Sequence, residues 1–168
     1  MNPADFLATG YFIDSASPAV VEFTQRTTAD LRTVREKVIA LYRVIRDGIA
    51  YDPYVDFSDR ESFRASSVLS AGRGFCVGKS ALFAATGRAA KIPARVGYAD
   101  VRNHLTSPRI YQHIKTDIFI WHSYSDLFIC GRWVKATPAF DLALCDRLGL
   151  QPRSHPQRRL SAMQNCGP

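Results

Sequence analysis

The chain holds 168 residues, 46% of them hydrophobic and 22% charged, with 22 Lys and Arg against 15 Asp and Glu for a formal net charge of +7. That length suits one domain able to bury a core, the composition excludes a disordered chain, and no apolar run approaches the roughly 20 residues of a membrane span. The basic excess does not mark a nucleic-acid binder: Arg153, Arg158 and Arg159 sit in an acid-free end, and elsewhere Lys and Arg alternate with Asp and Glu as on a solvated face.

In chain order, the opening residues lack a basic region followed by an apolar stretch, so no signal peptide is expected and cytoplasmic residence is the default. Leu31, Val34, Val38, Leu41 and Ile45 recur at spacings of three and four, which predicts an amphipathic helix over 27–48. Thr27 with Asp30 reads as its capping box and Gly48 as its stop. A turn-rich connection over 51–57 leads to a short helix expected over 62–70, closed by Ala71 and Gly72. The run Gly72-Arg73-Gly74-Phe75 then delivers Cys76 to the start of a helix of small residues, which runs to about residue 91 and ends at Ile92-Pro93.

Beyond this helix the period becomes two, predicting a strand over 94–101. A loop over 103–106 precedes Ser107-Pro108, a cap followed by proline as at a helix start. Strands are expected over 117–130 and 133–136, joined by a tight turn at Gly131-Arg132. The whole is an α+β domain over 1–150, helices first and an antiparallel sheet after, with a basic, flexible tail over 151–168. So short a core leaves a face for a partner or a second copy of the chain, so a homo-oligomer is one expectation.

Two residues ask for a chemical explanation. Cys76 lies where unpaired N–H groups and the helix dipole favour a thiolate, although a free cysteine also packs well in a core. His122 stands in the apolar strand Ile118-Phe-Ile-Trp-His-Ser-Tyr, where an imidazole is either a hydrogen-bonded core group or the base that activates the thiol. With a turn at Gly131-Arg132, Cys130 would face Trp133, His122 would face Asp141 and Asp126 would face Thr137, so either Thr137 or Asp141 would orient the imidazole. Pro138 is expected to bend the strand at that point. Cys76, Cys130, Cys145 and Cys166 form no CxxC pair and the four histidines are scattered, so the reading is four thiols and no zinc site.

Three segments in order resemble the transglutaminase-like superfamily, whose core belongs with the papain-like cysteine enzymes. They are Gly-Arg-Gly-Phe-Cys76-Val-Gly-Lys-Ser-Ala with Ile-Pro-Ala-Arg-Val-Gly-Tyr98, Trp-His122-Ser-Tyr-Ser-Asp, and Gly-Arg-Trp133-Val-Lys-Ala-Thr137-Pro138. The resemblance implies a nucleophile helix packed on an antiparallel sheet, Cys76 as nucleophile and His122 as general base and acid. It implies a third residue at Thr137, where the family has aspartate. Asp141 is the carboxylate able to take that role, and it equally suits an N-cap for the helical-looking segment 142–148. The backbone N–H of Cys76 is the implied oxyanion donor, with Tyr51 and Tyr54 as candidates for a second and Asn103 and His104 as candidate substrate contacts. Lys79 reads as a solvated lysine. The implied activity is thioester-forming attack on a peptide or amide, with hydrolysis favoured over transfer to an amine, no metal and no cofactor. The alternative is a non-catalytic module that binds a peptide or partner on a degenerate fold of this kind.

Overall fold

The computed structural model describes residues 2–102, 118–142 and 144–145. A 3-10 turn at Pro3–Leu7 precedes two helices where one was expected: α1 (Pro18–Thr28) and α2 (Val34–Gly48). The capping box belongs to Thr33, whose Oγ1 accepts the Glu36 N–H at 3.2 Å while the Glu36 carboxylate accepts the Thr33 N–H at 2.9 Å. Glutamate is long enough to reach back in this way, and aspartate at the predicted Thr27–Asp30 pair is not. Gly48 ends α2 as read, and Val38, Leu41, Tyr42 and Ile45 form its buried stripe. In α1 the hydroxyls of Thr24, Thr27 and Thr28 donate to carbonyls four residues back, which lets a threonine-rich segment hide its polar groups.

After α2, the short strand β1 (Ala50–Tyr51) pairs in parallel with β2 (Arg73–Gly74). Between them lies α3 (Ala65–Ala71), closed by Gly72 at φ 63° in the left-handed conformation that glycine adopts without strain. Next comes α4 (Cys76–Ala89), the centre of the molecule, buried from Gly78 through Gly87 on all sides. It lies directly on the sheet: a Cβ at Gly87 would sit 3.2 Å from Leu127 Cδ2 and 3.3 Å from the Ala94 Cβ. The Ser125 hydroxyl donates to the Ser80 carbonyl at 2.9 Å across the same contact.

The sheet is antiparallel, in the order β3 (Ala94–Arg102), β4 (Ile118–Ile129), β5 (Arg132–Ala136). The hairpin turn is Cys130-Gly131, not Gly131-Arg132. Both residues have positive φ, 52° and 75°, as a two-residue turn matched to strand twist requires. Ile129 therefore faces Arg132, Asp126 faces Lys135, and the ladder ends where Ser125 faces Ala136. The expected pairings of His122 with Asp141 and Asp126 with Thr137 are not formed, although a slip of two residues leaves each side chain on its predicted face. Cys76 is a free thiol and is buried, and Cys145 is buried as well, whereas Cys130, read as a thiol, is disulfide-bonded.

Between β3 and β4 the register slips: Ala99 faces His122 but Val101 faces Phe119. One extra residue is thus accommodated in β4, and Trp121 takes φ 59° there, its N–H donating to the Asp100 carboxylate at 3.2 Å. Among the described residues, no helix is long and apolar enough to cross a membrane. The α+β class stands as expected.

Candidate active site

Cys76 is the first residue of α4 and only 3% exposed. Its N-cap, Phe75, offers no side-chain cap, so the first N–H groups of the helix are left for the sulfur. Burial holds the Cys76 thiol above its usual pKa, opposed by the backbone N–H groups of Ser123, Val77 and Cys76 itself, which favour the thiolate. The Ser123 N–H comes from β4, so the strand that carries His122 reaches the sulfur at the very next residue. His122 is half-buried, its ring 6.1 Å from that of Phe140, and burial keeps it below its usual pKa. In the resting protein both groups therefore favour their neutral forms.

Among the described residues, no hydrogen bond joins His122 to Thr137 or to Asp141. The Thr137 carbonyl accepts from the Tyr42 hydroxyl at 3.3 Å. Asp141 spends both carboxylate oxygens on backbone: Oδ1 accepts the Leu144 N–H at 2.7 Å and Oδ2 the Tyr51 N–H at 3.2 Å. It is the cap of the turn that carries Leu144 and Cys145. Its carboxylate is drawn into that turn and into β1, away from a role as direct orienter of the imidazole.

Tyr51 lies near Cys76. Its ring meets Phe75 at 5.9 Å and Phe140 at 5.0 Å, and burial, with the nearby Cys76 adding to it, keeps its phenol protonated as a donor. Tyr54, the other tyrosine considered as an oxyanion donor, is 92% exposed and outside the site. Asn103 and His104 lie outside the described residues.

A profile described as the transglutaminase-like superfamily matches residues 21–138. The chain belongs to the transglutaminase-like superfamily. Two solved structures share the fold. One is titled "a Putative Cysteine Protease" from Cytophaga hutchinsonii, with TM-score 0.63 and 20% identity over 80% of this chain and 41% of that one. The other is the periplasmic domain of TgpA from Pseudomonas aeruginosa bound to ethylmercury, with TM-score 0.52 and 21% identity over 78% of this chain and 46% of that one. The chain thus spans less than half the length of either. Comparison with curated proteins finds no match.

Three residues of this transglutaminase-like core were not legible as site residues. The backbone N–H of Ser123 lies near enough to the sulfur to favour its thiolate, a role no side-chain pattern announces. Tyr98, on β3, lies close enough to Cys76 that the sulfur adds to the effect of burial in raising its pKa. Lys79 corrects the reading of a solvated lysine: it is fully buried, and its Nζ donates to the carbonyls of Arg46 at 3.0 Å and Ile49 at 2.5 Å. Burial pushes it down to about 8, against the charges of Asp141 and Asp47, which favour protonation. It ties the first turn of α4 to the end of α2 and so to the strand that carries Tyr51. The available signal was its isolation, a single charge among the small and apolar residues of 76–87.

Proposed function

We propose that the protein is a cysteine enzyme of transglutaminase-like type that cleaves a peptide or amide bond through a thioester on Cys76. The observation that carries this reading is the Cys76 sulfur at the start of α4, facing N–H groups from both its own helix and the residue after His122. As the sulfur attacks the substrate carbonyl, its proton passes to His122, whose lowered pKa keeps it neutral and able to accept. The C–S bond forms while the carbonyl π electrons move to oxygen. The Cys76 N–H and the Tyr51 hydroxyl serve that oxyanion. His122 then gives its proton to the leaving amine as the C–N bond breaks, and a water deprotonated by His122 releases the acid. The hydrolytic outcome rests on the likeness in fold to a solved structure named as a cysteine protease. An amine in place of water gives transfer.

A second reading has its own support: among the described residues no carboxylate pairs with His122, which suits a fold that binds peptides without cleaving them. A panel of fluorogenic peptide amides separates the two. The enzyme reading expects turnover that falls by about 100-fold or more in His122→Ala. It also expects kcat/KM to decline on the acid side with a midpoint below 6.5, because His122 must be neutral to accept the proton. Peptide binding with no turnover in wild type favours the binding module.

A further inference from the structure

We infer that the cleft beside Cys76 is a side-chain subsite that selects a large apolar residue on the acyl side of the bond cleaved. This rests on the reading of Cys76 as nucleophile. The cleft has a volume of about 440 Å³, within the roughly 300–1,000 Å³ of ligand sites. Val77 begins its lining one residue after Cys76, Val96 and Tyr98 of β3 form one wall, and Phe12, Ile13 and Phe63 form the other. None of the described residues that line it is charged, so among them an Asp, Glu, Lys or Arg side chain would find no partner for its charge, whereas a Leu or Phe side chain loses only water-exposed apolar area.

The wall opposite the sheet is held in place before any substrate arrives. The Phe12 carbonyl accepts the Ala65 N–H at 3.0 Å. Asp14, 7% exposed, accepts the Ser66 N–H at 3.0 Å and meets Arg64 Nε at 2.9 Å. The segment carrying Phe12 and Ile13 is thereby fixed to the start of α3, so little ordering remains to be done on binding. Tyr98 joins the cleft to the nucleophile, since it lines the former and lies within electrostatic reach of Cys76. An acyl group held on the sulfur has this cavity as the adjoining apolar space.

The test uses the full chain and chloromethyl ketones of N-acetyl-phenylalanine, -leucine, -glycine and -aspartate, with the rate of Cys76 modification followed by peptide mass mapping. Iodoacetamide measures the bare reactivity of the thiol in parallel. The phenylalanine and leucine reagents should react at least about tenfold faster than the glycine and aspartate reagents, as one or two methylenes in an apolar pocket allow. Val96→Phe, which fills the cleft, should level the series while the iodoacetamide rate stays within twofold. Phe12→Ala, on the exposed side of the wall, should narrow the preference and serves if Val96→Phe fails to fold. Rates that are flat across the series, or that favour aspartate, overturn the subsite. Modification of Cys76 by iodoacetamide but by none of the ketones overturns the nucleophile reading on which the subsite depends.

Discussion

Asp141 and Thr137 stand where a third catalytic residue was expected, and what their atoms touch separates support from catalysis. The Asp141 carboxylate holds the N–H groups of Leu144 and Tyr51, so it acts on the site through the backbone of the strand that places Tyr51. Asp141→Asn keeps a good cap and removes the charge. The His122 titration, followed by its ring proton resonances, should therefore move by no more than a few tenths of a pH unit in this variant. A direct triad carboxylate would instead lower it by about one unit or more on removal. Asp141→Ala removes the cap as well and should cost about 1 kcal/mol of stability by urea denaturation.

At the scale of elements, the hairpin and the bulge decide how β4 presents its residues. The Cys130-Gly131 turn shifts the predicted register by two, which keeps His122 on its face but ends the β4–β5 ladder short of it. The backbone at His122 is set instead by β3 through its pairing with Ala99, next to the bulge at Trp121. A tryptophan at φ 59° carries strain of about 1–3 kcal/mol, and the Asp100 carboxylate on its N–H helps hold it. In an ordinary strand glycine is less stable than alanine. Here Trp121→Gly should be more stable than Trp121→Ala by about 1 kcal/mol, because only glycine adopts this conformation freely. Urea denaturation of the two variants reads the difference directly, and an alanine variant as stable as the glycine one would contradict the strained bulge.

At the scale of the whole molecule, α4 joins the helical half to the sheet, and Lys79 is the point where α2, α4 and the segment carrying Asp141 come together. Its pKa near 8 in the folded chain lies below the usual 10.5, so between these values the unfolded chain binds more protons. Stability from this group therefore rises as pH goes from 8 to 10.5. Relative to Lys79→Met, wild type should gain stability between pH 8 and pH 10, measured by urea denaturation at each pH. An unchanged difference would place the lysine in solvent. Much of this molecule was legible in the chain: the small residues after Cys76 announced a helix, the alternation after Pro93 announced the sheet, and Cys76 and His122 stood out by type and setting. The rest depended on contacts distant in sequence. Nothing local tells that Lys79 reaches the carbonyls of Arg46 and Ile49, or that Asp141 caps a turn and Tyr51 at once. The turn was misplaced by one residue because Cys130, unlike glycine or asparagine, does not advertise a positive φ.

The measurement that tests the central claim most directly is intact-mass trapping of the acyl-enzyme from an activated peptide ester, with the adduct mapped by peptide digestion. The account predicts one acyl group on Cys76, formed about 100-fold or more slowly in His122→Ala and absent in Cys76→Ala. Acylation at the same rate in wild type and His122→Ala, or an acyl group found only on other residues, would contradict it.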